Sequence, residues 1–324
     1  MVAAVSTTRA GRKDETMGFK PRRLTGLLIA LALLALWMLN ASQPGVAVEG
    51  CLDGCATAAR PDDGTLRIVS LNVLHDFPRF AFLPQRLDLI AAEIRRLDAD
   101  IVLLQEVPWT WRVRSAAAYL GRATGLNYGF VRANGNRWAL LFEEGEAILS
   151  RFPLREVKFT ELRPAEAPFQ HRVALSARVD TAIGPLRVVS AHLANQNPTV
   201  NQEQAASLAR FVAAQAGPTI IGGDFNAAAD SVTIRAMQPA WVDSFAAVRP
   251  DDPGLTCCVD DLTAPPDARL EERIDYLFLS PGPASAWRVR ASQRLFTAPQ
   301  LTPAGRIWAS DHIGLWLVLD SLPK

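Results

Sequence analysis

The stretch Ile220-Ile-Gly-Gly-Asp-Phe-Asn-Ala227 joins an apolar run to two glycines and then to two polar side chains. In an extended chain, residues two positions apart point to the same side, so Asp224 and Asn226 face one way and Phe225 faces the other. The paired glycines allow the backbone to turn sharply or to approach a ligand closely. By itself, the pattern is typical of a strand followed by a turn. Its meaning depends on how the other strands of the chain end.

The same arrangement recurs along the sequence. Apolar runs that predict strands cover 66–74, 101–104, 186–191, 274–280 and 313–319. Helical spacing of apolar residues occurs at 85–97 and 202–215. Strands, some of them in hairpins, therefore alternate with a few helices, which predicts two mixed sheets with helices outside. Eight polar residues lie at or next to strand ends: Asn72, Glu106, His192, Asp224, Asn226, Asp275, Asp311 and His312.

This polar set contains the ligands that a hard cation prefers. Oxygen donors come from Asn72, Glu106, Asp224 and Asp311. Mg²⁺ is held by one or two carboxylates, with its other positions left to water and substrate oxygens. The chain has only 4 histidines, and both His192 and His312 fall in the set. Each residue alone is typical of a cap, a turn or a structural role, but the joint pattern favours a Mg²⁺-dependent phosphoryl site.

The motifs around these residues resemble, in order, those of the endonuclease/exonuclease/phosphatase superfamily. They are Ser70-Leu-Asn72, Leu104-Gln-Glu106, Gly145-Glu-Ala-Ile-Leu-Ser-Arg151, Ser190-Ala-His192, Gly222-Gly-Asp224-Phe-Asn226, Arg273-Ile-Asp275-Tyr276 and Ser310-Asp311-His312. The resemblance covers about residues 66 to 319. It implies a DNase I-like fold, a four-layered α/β/β/α sandwich with two mixed β-sheets. It also implies cleavage of phosphate esters with the help of a divalent metal.

The resemblance further implies a metal site for Mg²⁺, with Mn²⁺ as an alternative. Glu106 takes the position of the principal metal ligand, and Asn72 helps to hold the metal or a phosphate oxygen. Asp311 contributes to the metal site directly or through water. A bound divalent ion neutralises the phosphate and stabilises the charge that develops on the leaving oxygen.

Five catalytic positions follow from the same resemblance. Asp224 orients and activates the attacking water, and Asn226 forms a hydrogen bond beside it. His192 donates to the phosphate as charge builds on its oxygens. Asp275 pairs with His312, which fixes the tautomer of the imidazole and favours its protonated form. A neighbouring carboxylate has this effect because it raises the imidazole pKa.

The N-terminal region differs from the rest of the chain. Residues 1–23 hold six basic and two acidic residues, a net charge of +4, and no charged residue occurs in 24–48. The apolar run at 24–39 falls between a signal-peptide core of roughly 7–15 residues and a bilayer span of about 20. Basic residues before such a run predict that the following chain crosses the membrane. We predict a basic cytoplasmic N-terminus at 1–23, a signal peptide or transmembrane anchor at 24–48, a linker at 49–65 and the catalytic domain at 66–322. That domain would be secreted or periplasmic after cleavage, and otherwise held at the cell membrane, outside the cytoplasm.

Charge and family resemblance leave the substrate open. The whole chain carries +1, so the part after residue 23 carries −3. A slightly acidic body lacks the positive field of a non-specific nucleic-acid binder, although it is compatible with a local basic groove. We predict a nuclease-like phosphodiesterase whose partner is a phosphate ester, either nucleic acid or a lipid headgroup. The alternatives are a phospholipid, sphingolipid or inositol phosphate phosphoesterase and, from another class, a catalytically inactive binding module. No obligate protein partner is indicated, and membrane contact would run through residues 24–39 if they are retained.

Cysteines and arginines complete the set of predictions. The 4 cysteines are Cys51, Cys55, Cys257 and Cys258. Export would place them in an oxidising compartment, where disulfides persist. Three pairings are possible, and we predict a bridge between the first segment and the second. Arg151 and Arg273 can each contact phosphate or pair with an acidic residue.

Overall fold

The computed structural model describes residues 21–57, 63–181, 183–280 and 287–321. Clustering of contacts divides the chain into two compact units, Met1–Asn40 and Ala41–Lys324. The apolar segment forms helix α1 (Pro21–Ala41), whose side chains from Leu24 to Trp37 are exposed. Within the described residues, no helix combines the length and the apolar character that a membrane crossing requires.

The larger unit alternates strands and helices as the sequence predicts. The helices after α1 are α2 (Leu83–Arg96), α3 (Ala116–Thr124), α4 (Pro198–Ala213), α5 (Val232–Met237) and α6 (Ser244–Val248). The strands are β1 (Glu49–Cys51), β2 (Thr65–Asn72), β3 (Ile101–Gln105), β4 (Trp109–Thr110), β5 (Arg114–Ser115), β6 (Asn127–Asn136), β7 (Phe142–Ser150), β8 (Arg155–Ala167), β9 (Gln170–Thr181), β10 (Gly184–His192), β11 (Thr219–Asp224), β12 (Val242–Asp243), β13 (Asp275–Leu279), β14 (Trp287–Leu295), β15 (Gln300–Thr302), β16 (Gly305–Ile307) and β17 (Gly314–Ser321).

Two large mixed sheets organise these strands. One has the order β1-β6-β7-β3-β2-β17-β14, with β4 and β5 attached beside β7. The other has the order β12-β13-β11-β10-β9-β8, and β15 pairs with β16 separately. Each large sheet contains one parallel pair, β2 with β3 and β10 with β11, among antiparallel neighbours. Strand β1 lies in the segment 49–65 and pairs with β6, Glu49 opposite Phe130.

Alternation along the strands builds the four layers. In β3, Ile101 faces the core between the sheets, and Val102 packs against α2 and α3. In β11, Ile220 faces the same inner core, and Ile221 packs with α4 and α5. Because side chains on a strand alternate between its two faces, each sheet buries one face on the other sheet and one on helices. The predicted four-layered α/β/β/α sandwich is confirmed.

The paired glycines of the opening stretch lie inside β11. A Cβ on Gly223 would lie 1.9 Å from the carbonyl oxygen of Ala191 in the neighbouring strand. A Cβ on Gly222 would lie 2.7 Å from Leu103 Cδ1 in the other sheet. Both distances are far shorter than van der Waals contact. The glycines therefore serve close packing of β11 within and between the sheets, and the turn that the sequence suggests begins only after Asp224.

Both disulfides are local, and the predicted bridge between the two cysteine segments is wrong. They join Cys51 to Cys55 and Cys257 to Cys258. Cys51 lies in β1 opposite Tyr128, at an edge of the larger sheet. Cys257 instead lies opposite Glu272, and the segment after it is hydrogen-bonded to the backbone of Asp311. The two segments are held at different parts of the fold, which the sequence separation alone did not reveal.

Both arginines that the sequence left open pair with acidic residues. Arg151 Nη2 donates to Asp98 Oδ1 at 2.5 Å, and its Nε donates to Asp100 Oδ1 at 2.9 Å. Arg273 pairs with Asp243 and places its guanidinium over the ring of Tyr276. These contacts hold both guanidinium groups against acidic side chains.

Arg151→Ala is expected to lower the free energy of unfolding by about 3–5 kcal/mol, because it strands the buried Asp100 carboxylate without its cation. Arg155→Ala is the matched control: Arg155 makes an exposed 3.7 Å ion pair with Asp180, and its loss should cost about 0–1 kcal/mol. Urea unfolding of the two variants provides the measurement. Equal, small losses for both would show that the Arg151 pair contributes nothing.

Candidate active site

The eight predicted residues converge at one end of the sandwich. Asn72 ends β2 and Glu106 follows β3, while His192 ends β10 and Asp224 ends β11. Since each of these strand pairs is parallel, the residues that follow them emerge at the same edge of their sheet. The other four members lie in the segments that adjoin this edge: Asn226, Asp275, Asp311 and His312.

Asn72 connects the two sheets. Its Nδ2 donates to Asp224 Oδ2 at 3.0 Å and lies 3.2 Å from Glu106 Oε1. Its own backbone carbonyl accepts from Ser310 Oγ at 2.6 Å, which attaches the segment of Asp311 to β2. One amide thus aligns the residue predicted to hold the metal with the residue predicted to activate water.

A charged imidazole lies beside this amide. His312 Nδ1 is 2.9 Å from Asp275 Oδ2, and its Nε2 is 3.7 Å from Asp224 Oδ2. Burial alone would lower the pKa of His312, but the carboxylates of Asp275 and Asp224 outweigh it and raise that pKa well above its usual value. The imidazole is therefore protonated at neutral pH, as the sequence predicts from the pairing with Asp275.

Asp224 is buried among groups of both signs. Burial raises its pKa, the His312 charge lowers it, and the Asp275 charge raises it further, so that the net direction is upward. Its Oδ1 accepts from the backbone N–H of Asn226 at 2.9 Å. A divalent cation nearby would act in the opposite direction, because positive charge favours the carboxylate form. The carboxylate is held in position at both of its oxygens.

His192 is the neutral imidazole of the site. Burial first, and then the charge of Arg172, lower its pKa well below the usual value. Arg172 Nη1 lies 3.0 Å from His192 Nδ1, and a guanidinium has no acceptor. The Nε2 atom has two neighbours with opposite demands: Asp224 Oδ2, an acceptor, lies at 3.4 Å, and Asn226 Nδ2, itself a donor, lies at 2.9 Å. Because Nδ1 accepts from Arg172, donation to a phosphate has to come from Nε2, and it requires the Asn226 amide group to move away from that atom.

The pKa of Glu106 lies well below its usual range. Burial would raise that pKa, but the nearby basic side chains, His75 first among them, lower it by more. The backbone N–H of His75 donates to Glu106 Oε2 at 3.2 Å, and its ring Nε2 lies 3.6 Å from the same oxygen. His75 lies three residues after Asn72, so its place in the loop that follows β2 was the signal that the sequence interpretation missed.

Buried Arg86 holds this loop in an unusual conformation. Leu74, Asp76 and Glu106 have φ values of 61°, 47° and 52°, in the left-handed region that non-glycine residues rarely adopt. Arg86 donates to the carbonyl oxygens of Val73 at 2.6 Å and Leu74 at 3.0 Å. Burial lowers the pKa of Arg86 to about 10, which leaves it charged at neutral pH. Backbone strain of this kind concentrates at functional sites, where surrounding contacts maintain it.

Two further polar residues line the cleft without having been predicted, Arg172 in β9 and Glu144 in β7. A third, Glu146 in β7, is buried beneath them. Burial raises the pKa of both Glu144 and Glu146, the second strongly. Glu146 Oε2 contacts Ser190 Oγ, which also accepts from Gln105 Nε2 at 2.9 Å across the two sheets. The alternation Glu144-Gly-Glu146 in a buried strand was the available signal, whereas nothing in the local sequence distinguishes Arg172.

The donor set fits a hard divalent cation. Burial raises the pKa of Asp311, His312 lowers it, and the negative charge of Glu106 raises it again. Two carboxylates whose charges oppose each other are relieved by a cation between them. Asn72 turns its Nδ2 towards Glu106, and its Oδ1 accepts from the backbone N–H of Leu74 at 3.0 Å, so Asn72 orients the carboxylate in this arrangement. Asp224, Asp275 and His312 also bring possible ligand atoms within 4.8 Å of one another. Because His312 Nδ1 is already paired with Asp275, we assign that second group to proton chemistry and the oxygen donors to the metal.

Comparisons with known proteins agree with this geometry. The profile described as "Endonuclease/Exonuclease/phosphatase family" matches residues 69–312. A family protein from Bacteroides thetaiotaomicron is similar in structure, with 18% identity, a TM-score of 0.61, and coverage of 80% of this chain and 98% of that one. A mannosyl-6-phosphatase of the same species has 19% identity, a TM-score of 0.58 and coverage of 78% and 99%. The human Nocturnin catalytic domain, solved with bound sulfate, has 19% identity, a TM-score of 0.61 and coverage of 80% and 94%. No curated protein sequence matches this one significantly.

Proposed function

Because this chain belongs to the endonuclease/exonuclease/phosphatase family, we propose that it hydrolyses phosphate esters, chiefly phosphodiesters, with a divalent metal. One observation carries the proposal. Asn72 joins Glu106 and Asp224 by hydrogen bonds across two sheets, beside a protonated His312. An ionised carboxylate, a buried carboxylate with a raised pKa and a fixed cation are the groups that phosphoryl hydrolysis requires.

In this proposal Asp224 takes a proton from the attacking water. The water oxygen bonds to phosphorus as the ester P–O bond breaks, and a proton finally goes to the departing alcohol oxygen. A base whose pKa is raised towards neutrality suits this role. His312 donates a charge-assisted hydrogen bond to a phosphate oxygen, and His192 donates from Nε2. Asn226 keeps Asp224 oriented through its backbone N–H.

Glu106 and Asp311 are the residues that would hold Mg²⁺ or Mn²⁺, and Asn72 would join them only by turning its Oδ1 away from the Leu74 N–H. When bound, the ion neutralises the phosphate and stabilises charge on the leaving oxygen. The chain's own part is to keep Glu106 ionised and aimed, which His75 does through its backbone N–H and its ring. Asn72 links the metal ligand to Asp224, so that the two groups share one alignment.

Removal of divalent ions is expected to lower the hydrolysis of bis(p-nitrophenyl) phosphate by about 10²–10³-fold, because the ion supplies several kcal/mol to the transition state. EDTA treatment followed by addition of Mg²⁺ or Mn²⁺ tests this, with release of nitrophenolate as the measurement. Activity should return with the metal. A folded protein that releases no nitrophenolate under any metal condition would favour the catalytically inactive binding module.

The substrate class of this proposal follows from charge. The catalytic domain at 66–322 carries a net charge of −1, because the −3 of the chain after residue 23 comes mainly from residues 49–65. A nearly neutral domain offers few unpaired basic groups for the phosphate contacts that dominate non-specific nucleic-acid affinity. That balance disfavours unselective DNA cleavage and leaves selective nucleic acid, lipid headgroups and soluble phosphate esters. The Nocturnin domain and the mannosyl-6-phosphatase share this fold but differ in name, so the fold by itself does not identify the substrate. A panel of plasmid DNA, RNA, sphingomyelin, phosphatidylinositol and inositol phosphates distinguishes these classes.

We further propose that the catalytic unit is exported. Support comes from the basic residues before the apolar segment at 24–39 and from the two disulfides, which persist in oxidising compartments. N-terminal sequencing of the mature protein, together with cell fractionation, separates a cleaved signal from a retained segment. Recovery of the uncleaved protein in the cytoplasm would contradict the proposal.

A further inference from the structure

A cavity of about 500 Å³ opens directly beside Glu106. It is formed by the loop after β2, the hairpin ends of β6 and β7, and the turn between β8 and β9. None of the roles assigned above uses this space. A phosphate at the metal site would therefore carry one of its ester groups into, or past, the cavity.

One part of the wall is aromatic. Phe77 stacks on Phe142 with ring centroids 4.5 Å apart, and His75 lies 5.2 Å from the same ring. Phe77 remains 46% exposed, and Phe169, which also lines the cavity, remains 40% exposed. Large aromatic side chains left exposed at a cleft offer apolar contact area to a ligand.

The other part of the wall is polar and, among the described residues, includes an atom without a partner. Glu144 is 5% exposed, and its carboxyl group accepts from Asn134 Nδ2. Asn134 is itself fixed by two hydrogen bonds of 2.8 Å with the backbone of His171, so it orients the carboxyl group. Gln170 Oε1 is buried with no hydrogen-bond partner within the described part of the chain. Buried polar atoms of this kind are normally satisfied, and here a bound molecule can satisfy them.

The charged groups in the described part of the wall leave one donor open. Two carboxyl residues, Glu106 and Glu144, and one arginine, Arg172, line the cavity. The guanidinium contacts His192 Nδ1, and its Nε is buried without a hydrogen-bond partner among the described residues. A second phosphate, as in a nucleic-acid chain, would bind this arginine but would oppose the two carboxyl groups. A neutral group with many hydroxyls can accept from the arginine and donate to a carboxyl group without that repulsion.

We propose that this cavity binds the alcohol part of the substrate, and that this alcohol is a polyhydroxylated ring, such as a sugar or a cyclitol. Its hydroxyl groups would bind Glu144 and Gln170, and its C–H face would lie against Phe77 and Phe169. The proposal rests on the proposed function, because the phosphate of the same molecule occupies the metal site. The ring can belong to a lipid headgroup or to a soluble phosphate ester.

The experiment compares kcat/KM among substrates in the presence of Mg²⁺. Phosphatidylinositol in vesicles and soluble myo-inositol monophosphate represent the two sources of a ring. Phosphatidylcholine vesicles, a thymidine dinucleotide and the nitrophenyl mono- and diesters are the references. At least one ring substrate should have a higher kcat/KM than the reference of the same ester class. The ring substrate that does so shows whether the ring belongs to a lipid headgroup or to a soluble phosphate ester.

Two variants test the wall. Glu144→Gln and Phe169→Ala should each lower the ratio of kcat/KM for the ring substrate to that for the nitrophenyl reference by about tenfold or more. The matched control is Trp138→Ala, on the same β6–β7 hairpin but 86% exposed and outside the cavity wall; it should leave the ratio unchanged. Near-UV circular dichroism verifies that each variant is folded. Phe169→Ala is the variant least expected to disturb the fold, because Phe169 is partly exposed.

The outcomes separate this proposal from the proposed function. Preference for the dinucleotide or for phosphatidylcholine overturns the ring proposal, as does an equal loss on both substrates in Glu144→Gln and Phe169→Ala. Absence of metal-dependent hydrolysis of every ester overturns the proposed function instead. In that case, calorimetric titration of the full chain with myo-inositol monophosphate in EDTA decides the subsite. Binding that Glu144→Gln abolishes supports it, and binding that is absent or unaffected by the change overturns it.

Discussion

Asp224→Asn is expected to lower kcat for phosphodiester hydrolysis by about 10²–10⁴-fold. The amide keeps the shape of the side chain but cannot accept a proton from water. Its surroundings also become mismatched: Asn72 Nδ2 donates to Asp224 Oδ2, and the backbone N–H of Asn226 donates to Oδ1, so an NH₂ group at either place faces a donor. The loss should appear in kcat more than in KM, because the base acts in the transition state.

Asp230→Asn is the control for this change. Asp230 lies six residues further on and is exposed, so the same chemical substitution should leave kcat within about twofold. Thermal unfolding shows whether both variants remain folded. If a folded Asp224→Asn variant hydrolysed the nitrophenyl diester as fast as the unaltered protein, Asp224 would not be the base.

His312→Ala is expected to lower kcat by about 10²–10³-fold, because it removes a protonated donor aimed at the developing charge. Its Nδ1 is held by Asp275 at 2.9 Å, and its charge is maintained by two carboxylates. Removal also leaves Asp224 and Asp275 facing each other without the cation between them. That repulsion raises the pKa of Asp224 further and leaves less of it ionised at neutral pH.

Asp275→Asn tests the same assignment indirectly. Asp275 acts through the imidazole and does not itself need to touch the substrate, so its loss should cost less than the loss of His312. The effect should also grow as the pH rises, because an imidazole deprived of the Asp275 charge loses its proton at lower pH. Rates measured for both variants across pH 5–9 provide the comparison. Full activity of folded His312→Ala would refute the role of this residue.

Much of the fold was predictable because the strand patterns are unambiguous. The run at 101–104 reads as a buried strand, and in the structure it packs on α2 and α3 with one face and on the second sheet with the other. The role of the glycines was harder to predict. Gly222 and Gly223 are typical of a turn, but only the neighbouring strand and the opposite sheet explain why no side chain fits there.

The site was predictable where the polar residues follow strands. Asn72, Glu106 and Asp224 interrupt apolar runs, and that interruption is visible in the sequence. Arg172 lies within β9, among residues that alternate normally, and it reaches the cleft only because β9 pairs with β10 beside His192. The lowered pKa of His192 was equally hidden, since it depends first on burial and then on that guanidinium. Contacts between distant strands are tertiary facts that no local pattern encodes.

The hydrogen bonds of the Asn72 amide affect how the activity of the enzyme responds to substitutions. The cleft lies between two sheets, each of which is hydrogen-bonded internally, and the Asn72 side chain joins them. A misplacement of about 1 Å between reacting groups can cost about 10²-fold in rate. The close packing of Gly222 near Leu103 in the interior therefore helps to set the distance between Glu106 and Asp224. Turnover becomes sensitive to residues that never meet the phosphate.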